Sequence, residues 1–321
     1  MTAPTPAPGT TAPATAAVQA LRSWLFVPGD SERKQDKALA TGADALILDL
    51  EDSVAPARLA AARDLVGQRL RARSSVAGPQ LWVRVHAPAS ELLPPDLDAI
   101  FAGGAPDGVV LPKVSAPTEI AHAARYLAML ETQVSRAPGS TRLLVIATET
   151  PAGVLTLPSY PALLDSMPAV AARLSGLTWG AEDLSAALGA LRRRDVAGEL
   201  TSTFQLARTS CLLAAAALNV QAVDGVYTDF RDASGLRREL EDARRDGFSG
   251  KLAIHPEQIA AINAAFVPTD AERVAAERVV AAFATAAQAG VVSLDGRMID
   301  RPHLLQAQRI LAMAQRSRSG S

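Results

Sequence analysis

Charged side chains follow several of the apolar, β-rich runs of this 321-residue sequence, at the points where those runs end. In chain order these residues are Asp49, Glu51, Asp52, Arg84, Lys113, Glu149, Glu182 and Asp183. A charge half buried at a strand end is costly unless it is paired or binds a ligand or a metal ion. Their repeated occurrence at the same relative position indicates one shared site.

Glu149 and Asp183 are the candidate metal ligands within this set. Hard carboxylate oxygens, with no cysteine or histidine cluster nearby, suit Mg²⁺, and Mn²⁺ is also compatible. A zinc site would lack its usual ligands. The alternative is that both carboxylates pair with arginine or lysine across the site.

Arg84 and Lys113 each allow two interpretations. The Arg84 guanidinium offers a bidentate fork for a substrate carboxylate, or it forms an ion pair with Asp49 or Glu51. Lys113 could form a Schiff base in an aldolase. That mechanism needs no metal, however, and would leave the carboxylate pair unexplained, so Asp49, Glu51, Lys113 and Glu182 are predicted to surround and support the metal ligands.

The histidines and the single cysteine carry weaker signals. His255, which precedes a proline, is interpreted as a loop or strand-end residue that contacts ligand; His86 ends a strand near the site, and His122 and His303 are expected on helix surfaces. No catalytic triad spacing, G-x-S-x-G sequence or Walker loop is present. Cys211 lies in an apolar run and is predicted to be inert packing.

Eight β-rich runs alternate with alanine- and arginine-rich helical segments and must position these residues. The predicted strands are Ser23–Val27, Ala45–Leu50, Leu81–His86, Gly108–Leu111, Leu143–Thr148, Leu177–Gly180, Val223–Thr228 and Lys251–Ile254. Continuous apolar runs indicate parallel strands covered by helices. The pattern predicts an α/β fold, a (β/α)8 TIM barrel with a C-terminal helical arm, whose active-site face is the carboxyl end of the strands. An open doubly wound sheet is the alternative, but the first strand lacks its glycine-rich loop.

Three regions follow from this reading. Residues 1–20, rich in proline, threonine and alanine, are predicted to be a disordered tail, residues 21–265 the barrel, and residues 266–321 the arm, which packs on a neighbouring subunit. No segment is apolar for long enough to cross a membrane.

The composition of the chain limits which kinds of binding partner are expected. The 32 basic and 33 acidic residues give a net charge of −1 without clusters, so neither nucleic acid nor a membrane surface is an expected partner. A lone cysteine indicates a reduced, cytoplasmic protein. The expected partner is a small molecule.

The motifs as a set resemble a known family. They are RSWLFVPGD, DLEDSV, VRV, LPKV, ETPAG, WGAEDL, DGVYTDFRD, GFSGKLAIHP and GRMIDRPHLLQAQRIL. In this order they are similar to the citrate lyase beta-subunit-like proteins of the citrate lyase, malyl-CoA lyase and HpcH/HpaI aldolase superfamily. Where that family often has asparagine after the third strand, this sequence has His86.

The resemblance implies a Mg²⁺-dependent barrel, usually a homotrimer or a dimer of trimers, with Glu149 and Asp183 as the metal ligands. It implies that Arg84 binds the 2-oxo acid portion or stabilises the enolate, and that coenzyme A (CoA) contacts positions in and after the first strand. Those positions are Phe26, Arg33 and Lys37.

The same resemblance makes Asp300 a catalytic acid/base that the C-terminal arm delivers across the subunit interface. Read alone, Asp300 lies two residues before Pro302 and could simply cap a helix. The two roles are compatible.

The activity implied is a carbon–carbon lyase or synthase on a malyl-CoA, β-methylmalyl-CoA or citramalyl-CoA type of thioester, giving a 2-oxo acid and an acyl-CoA. A thioesterase using the same residues and a CoA-independent, metal-dependent 2-oxo acid aldolase are the alternatives. A non-enzymatic CoA-binding protein would leave the metal pair idle.

Overall fold

The computed structural model describes residues 20–73, 78–285 and 290–319. Except for Ala20, the predicted tail over residues 1–20 lies outside this part of the chain. Within it, no helix is both long and apolar enough to cross a membrane.

Eight parallel strands form a closed barrel in sequence order, and β1 pairs with both β2 and β8 to complete the ring. The strands are β1 Ser23–Pro28, β2 Ala45–Asp49, β3 Gln80–Arg84, β4 Gly108–Leu111, β5 Arg142–Ile146, β6 Leu174–Thr178, β7 Gln221–Asp224 and β8 Gly250–Ala253. The predicted (β/α)8 fold is confirmed, and the open sheet is excluded because its two edge strands would remain unpaired.

Most predicted strands extend too far at their carboxyl ends. The backbone N–H of His86 donates to the Asp96 carboxylate at 2.9 Å instead of joining the sheet, and the N–H of Gly180 donates to Oγ1 of Thr148 at 3.1 Å. Side chains therefore replace the neighbouring strand as hydrogen-bond partners here. The backbone therefore stops pairing with the neighbouring strands at the point where the polar residues begin.

The barrel interior is filled by its own apolar cluster, separate from the layer between strands and helices. Trp24 and Trp82 meet edge to face inside it, with ring centroids 4.8 Å apart. Gly108 is required beside them, because an added Cβ would lie 2.2 Å from the Trp82 ring. Since side chains alternate along a strand, Arg84 shares the interior face with Trp82 and lies on the carboxyl-end side of this apolar cluster.

Helices surround the barrel and continue beyond it. They are α1 Glu32–Leu39, α2 Leu59–Arg71, α3 Leu93–Gly103, α4 Pro117–Gln133, α5 Pro151–Thr156, α6 Tyr160–Asp165, α7 Pro168–Ala171, α8 Ala181–Leu188, α9 Ser202–Ala217, α10 Ala233–Asp246, α11 Ile259–Ala265, α12 Asp270–Thr285 and α13 Arg301–Ser319. Cys211 on α9 is fully buried, and burial raises the pKa of its thiol. This agrees with its predicted packing role.

The C-terminal arm contains a β-hairpin, which the sequence pattern did not predict. Strands β9 Val291–Leu294 and β10 Arg297–Asp300 pair antiparallel between α12 and α13. The turn residues Asp295 and Gly296 both have positive φ, 52° and 74°, as an Asp-Gly hairpin turn requires. An ion pair between Arg244 and Glu272, 2.5 Å long, links the arm to α10 of the barrel.

Candidate active site

The carboxyl ends of the barrel strands bring together most of the predicted site residues. This mouth cluster is defined by Asp49, Glu51, Asp52, Arg84, Lys113, Glu149 and Asp183, which are linked by hydrogen bonds, ion pairs or charge interactions. They come from the ends of β2, β3, β4 and β5 and from the start of α8. Asp52, which was noted after the second strand without a specific role, also belongs to the cluster.

Arg84 is held by the protein's own carboxylates. Its Nε and Nη2 donate to the two oxygens of Asp49, each at 2.7 Å, and Nη1 lies 3.1 Å from Oε2 of Glu51. Its guanidinium carbon also lies 4.8 Å from the centre of the Phe26 ring. The ion pair that was the alternative interpretation of Arg84 is therefore present. The edge of the guanidinium formed by Nε and Nη2 is already occupied by Asp49.

The Lys113 side chain links the carboxylates that follow β2 to the carboxylate at the start of α8. Its Nζ donates to Glu51 at 2.5 Å and to Asp52 at 2.9 Å and lies 3.4 Å from Asp183. Burial lowers the pKa of Lys113, but the bonds to Glu51 and Asp52 outweigh it and leave the pKa raised. A Schiff-base lysine must lose its proton, so this environment opposes the aldolase reading of Lys113.

The backbone of Lys113 positions Glu149. Lys113 has a left-handed φ of 53°, which aims its N–H at Oε2 of Glu149 over 2.6 Å. A side chain held in this conformation stores strain of about 1 kcal/mol or more, which a surrounding site must support. The backbone of Gly180 also packs closely against Glu149, since a Cβ added at Gly180 would lie 2.5 Å from Cγ of Glu149.

Glu149 is a buried carboxylate that forms no ion pair with any residue that the structure describes. It is 4% exposed, and its pKa is raised to about 8, first by burial and then by the nearby charges of Asp183 and Glu51. Asp183 lies in the first turn of α8, with 31% of its side chain exposed. A bound divalent cation would relieve both the burial cost and the repulsion.

The charge balance of the mouth cluster fits such a cation. Five carboxylates share two basic side chains, so the cluster carries an excess of acidic groups. Within residues 20–73, 78–285 and 290–319, no three acidic, histidine or cysteine side chains are arranged as a metal-binding group. Mg²⁺ needs only one or two protein carboxylates and takes its other ligands from water and substrate, so Glu149 and Asp183 suffice.

Two predicted residues lie apart from the cluster. Glu182 turns away and forms an ion pair with Arg193. His255 stacks on Phe230, with ring centroids 4.4 Å apart, and its Nδ1 accepts a hydrogen bond from the backbone N–H of Glu257. His255 thus caps the short helix that follows β8, in agreement with its expected strand-end position.

The residues expected to contact CoA have contrasting surroundings. Phe26 lies at the barrel interior beside Arg84. Arg33 and Lys37 are exposed on α1, four residues apart and hence on one face of the helix. Neither side chain makes a hydrogen bond or ion pair within the described part of the chain, so both cations are free for an anionic ligand.

Asp300 is the last residue of β10 and directly precedes α13. Its Oδ1 is 2.6 Å from Nδ1 of His303, three residues later, and 46% of its side chain is exposed. The backbone N–H of Asp300 also donates to Nδ1 of His303, at 3.3 Å. Asp300 has no contact with the mouth cluster among the described residues.

Sequence reasoning missed one arrangement at the mouth. Nδ1 of His86 lies 2.7 Å from Oδ2 of the fully buried Asp96. Arg63 of α2 donates to the other oxygen of Asp96 at 2.8 Å. No local spacing connects these three residues, because helix packing brings them together.

The fold and the mouth cluster define a (β/α)8-barrel protein with a carboxylate site suited to a magnesium ion. Residues 22–256 match the family model described as HpcH/HpaI aldolase/citrate lyase. The chain belongs to this family, which confirms the resemblance drawn from its motifs.

Individual relatives differ in their activities. A (3S)-malyl-CoA thioesterase of Cereibacter sphaeroides is 35% identical over 309 residues, covering 92% of this chain and 94% of the relative. The mitochondrial citramalyl-CoA lyase of Mus musculus is 34% identical over 298 residues, covering 91% and 86%. Both similarities extend beyond the barrel into the arm.

A solved structure has the same architecture. The CitE protein of Mycobacterium tuberculosis, in complex with magnesium, acetoacetate and coenzyme A, is 32% identical to this chain with a TM-score of 0.70. The match covers 92% of this chain and 98% of that chain.

Proposed function

We propose that this protein is a Mg²⁺-dependent carbon–carbon lyase, or synthase in the reverse direction, acting on a short 3-hydroxyacyl-CoA thioester. The products are a 2-oxo acid and an acyl-CoA. The observation that carries the proposal is the buried Glu149 carboxylate, with its pKa raised to about 8, beside Asp183 in a mouth cluster that has more carboxylates than cations. The mitochondrial citramalyl-CoA lyase relative supports the same class of reaction.

Glu149 and Asp183 would hold the magnesium ion, which supplies a Lewis acid and a template for the oxygens of the 2-oxo acid. Arg84 places a fixed positive charge beside the site, where it stabilises negative charge that develops on the substrate. Lys113 fixes Glu149 through its backbone N–H and neutralises Glu51 and Asp52 through its Nζ.

Arg33 and Lys37 recognise CoA in this proposal. Both are exposed, lie on one face of α1 and lack partners among the described residues, so their charges can pair with CoA phosphates. Phe26, beside Arg84 at the barrel interior, would contact the same ligand. A double variant Arg33→Gln/Lys37→Gln should raise the KM for the thioester, whereas a CoA-independent aldolase would be unaffected.

Asp300 would move the proton at the α-carbon of the acyl-CoA, or remove the hydroxyl proton in the cleavage direction. Since it makes no contact with the mouth cluster of its own chain among the described residues, we infer that it acts in the site of a neighbouring subunit. We propose that the assembly is a homotrimer, or a dimer of trimers, in the cytoplasm. The exposed Met298 and Leu305, 76% and 48% exposed, lie on the arm next to Asp300 and would be covered there.

The decisive experiment is turnover of malyl-CoA, β-methylmalyl-CoA and citramalyl-CoA with Mg²⁺, and then with excess chelator. Both the 2-oxo acid and the acyl-CoA are followed. Chelator-sensitive appearance of both products supports the lyase and identifies its substrate. Turnover that persists fully in chelator contradicts the magnesium proposal.

A thioesterase is the second candidate function, and it is favoured by the (3S)-malyl-CoA thioesterase relative at 35% identity. Free thiol without 2-oxo acid would identify it in the same assay. Absence of turnover of every thioester, with activity on a 2-oxo acid and an aldehyde, would instead identify the CoA-independent aldolase.

A further inference from the structure

The imidazole of His86 stands at the same end of the barrel as the mouth cluster, two residues after Arg84 ends β3. Its Nδ1 lies 2.7 Å from Oδ2 of Asp96, and its backbone N–H donates to the same oxygen at 2.9 Å. A carboxylate oxygen accepts, so Nδ1 carries the proton of the ring. In the neutral ring, the lone pair is therefore on Nε2.

Asp96 holds this ring in place. Its side chain is fully buried at the start of α3, and its second oxygen accepts from Nε of Arg63 on α2 at 2.8 Å. With both carboxylate oxygens engaged, the ring of His86 has one favoured orientation. An imidazole whose Nδ1–H is fixed by a buried carboxylate is the arrangement used by catalytic bases.

Nε2 of His86 has no hydrogen-bond partner among residues 20–73, 78–285 and 290–319, and 19% of the side chain is exposed. Other nitrogens at this end cannot accept a proton. Burial lowers the pKa of Arg84 and Lys113, but their carboxylate partners raise both above the ordinary values. In His255, Nδ1 already accepts the N–H of Glu257, so the proton of the neutral ring is on Nε2.

We propose that His86, oriented by Asp96, is the catalytic base of a second reaction at this site, hydrolysis of the CoA thioester. This inference rests on the proposed function, because it requires that a CoA thioester bind at the mouth. It assigns to one residue the difference between a lyase and a thioesterase built on the same barrel.

The step uses only water as co-reactant. Nε2 takes a proton from water while the water oxygen forms a bond to the thioester carbonyl carbon. The tetrahedral intermediate then collapses with cleavage of the carbon–sulfur bond, and the departing thiolate takes the proton from Nε2. The products are a carboxylic acid and free CoA, and His86 returns to its starting state.

The first test needs no activity. The sequence contains four histidines, so ¹⁵N-histidine labelling with a His86→Asn variant assigns the His86 ring signals. In the neutral ring of the wild-type protein, the expected spectrum shows Nδ1 protonated and Nε2 unprotonated. A proton on Nε2 would overturn the proposal, because the lone pair would then lie on Nδ1 beside Asp96 and Nε2 could not accept a proton from water.

The second test measures the partition between products. With a citramalyl-CoA or malyl-CoA type of substrate, free thiol reports hydrolysis and 2-oxo acid reports carbon–carbon cleavage. His86→Asn and His86→Ala should lower thiol release about 100-fold while 2-oxo acid release stays within about threefold. Imidazole added to His86→Ala should restore thiol release, whereas His122→Asn, the same change on the exposed face of α4, should alter neither product.

Equal loss of both products in His86→Ala, without rescue by imidazole, would show that His86 is structural and overturn the proposal. So would wild-type protein that releases no thiol beyond the blank without enzyme. In that case release of 2-oxo acid still reports separately on the proposed lyase function, so the two failures are distinguishable.

Discussion

At the scale of single residues, the site depends on side chains that hold one another in place. Glu149 is fixed by a 2.6 Å bond from Lys113 and confined by the absence of a side chain at Gly180. The charged residues were recognisable from the sequence because they follow apolar runs. Their partners were not, since the pairing of Arg84 with Asp49 joins positions that only barrel closure brings together.

Gly180→Ala should impair the site without straining the backbone. Gly180 has an ordinary φ of −120°, so the added Cβ acts through its 2.5 Å approach to Cγ of Glu149. We expect a roughly 10- to 100-fold loss of kcat/KM and a higher midpoint in a Mg²⁺ titration. Gly290→Ala is the control, because an added Cβ there meets nothing within 4 Å. Equal effects of both variants would contradict this assignment.

Lys113 should not form a covalent intermediate. Its Nζ is held by Glu51 and Asp52, and their hydrogen bonds outweigh burial and raise its pKa. Borohydride added together with a 2-oxo acid should therefore leave the mass of the protein unchanged. A reduced adduct mapped to Lys113 would restore the Schiff-base aldolase alternative.

At the scale of elements, the sequence predicted all eight strands but placed many of their ends wrongly. Apolar runs continue past the last ladder hydrogen bond, so hydropathy alone does not show where a strand stops. A charge at a strand end is also ambiguous. Asp224 is the last residue of β7, as Arg84 is the last residue of β3. Because Val223, the residue before Asp224, faces the barrel interior, Asp224 points outward. There it forms ion pairs with Lys251 and Arg208. Which face a residue occupies separates a site residue from a structural ion pair.

Glu131 on α4 should make the fold sensitive to acid. It binds Arg173 through both oxygens and accepts the N–H groups of Thr141 and Gly139 ahead of β5. Burial raises its pKa, but these bonds outweigh burial and lower the pKa to about 2. A depressed carboxyl pKa stabilises the fold above the unfolded value, and this stabilisation is lost as the pH falls toward 2.

The loss from Glu131 should amount to about 3 kcal/mol of unfolding free energy between pH ~5 and pH ~2. Denaturant unfolding across that range measures it. Glu131→Gln should lower stability at pH 7 and flatten the acid dependence, whereas Glu241→Gln on the exposed face of α10 should leave both unchanged. An unchanged acid dependence in Glu131→Gln would disprove this role.

At the scale of the whole molecule, the sequence predicted the barrel and a following arm, and missed the hairpin within the arm. Asp-Gly turns are strong hairpin signals, but strands β9 and β10 are only four residues each and carry exposed side chains, so their hydropathy pattern is weak. How the arm of one chain meets another chain depends on surfaces from both, which no local pattern encodes.

Shared sites should be detectable by mixing subunits. Asp300→Ala and Glu149→Ala proteins should each be inactive, and unfolding and refolding them together should restore some activity. Recovery is expected because a mixed assembly contains sites with an intact Glu149 from one chain and an intact Asp300 from the other. Mass spectrometry confirms mixing. Verified mixed assemblies without activity would show that Asp300 does not act between chains.

Closure of the barrel by β1 and β8 also bears on how the protein is made. β1 pairs with β8 through Ser23 and Lys251, so more than two hundred residues are synthesised after β1 before its second partner strand exists. At a ribosomal rate of roughly 5–20 residues per second, its edge stays open for on the order of 10 to 50 seconds. An open apolar strand edge is a template for aggregation. The nascent chain is therefore most in need of a chaperone before β8 leaves the ribosome.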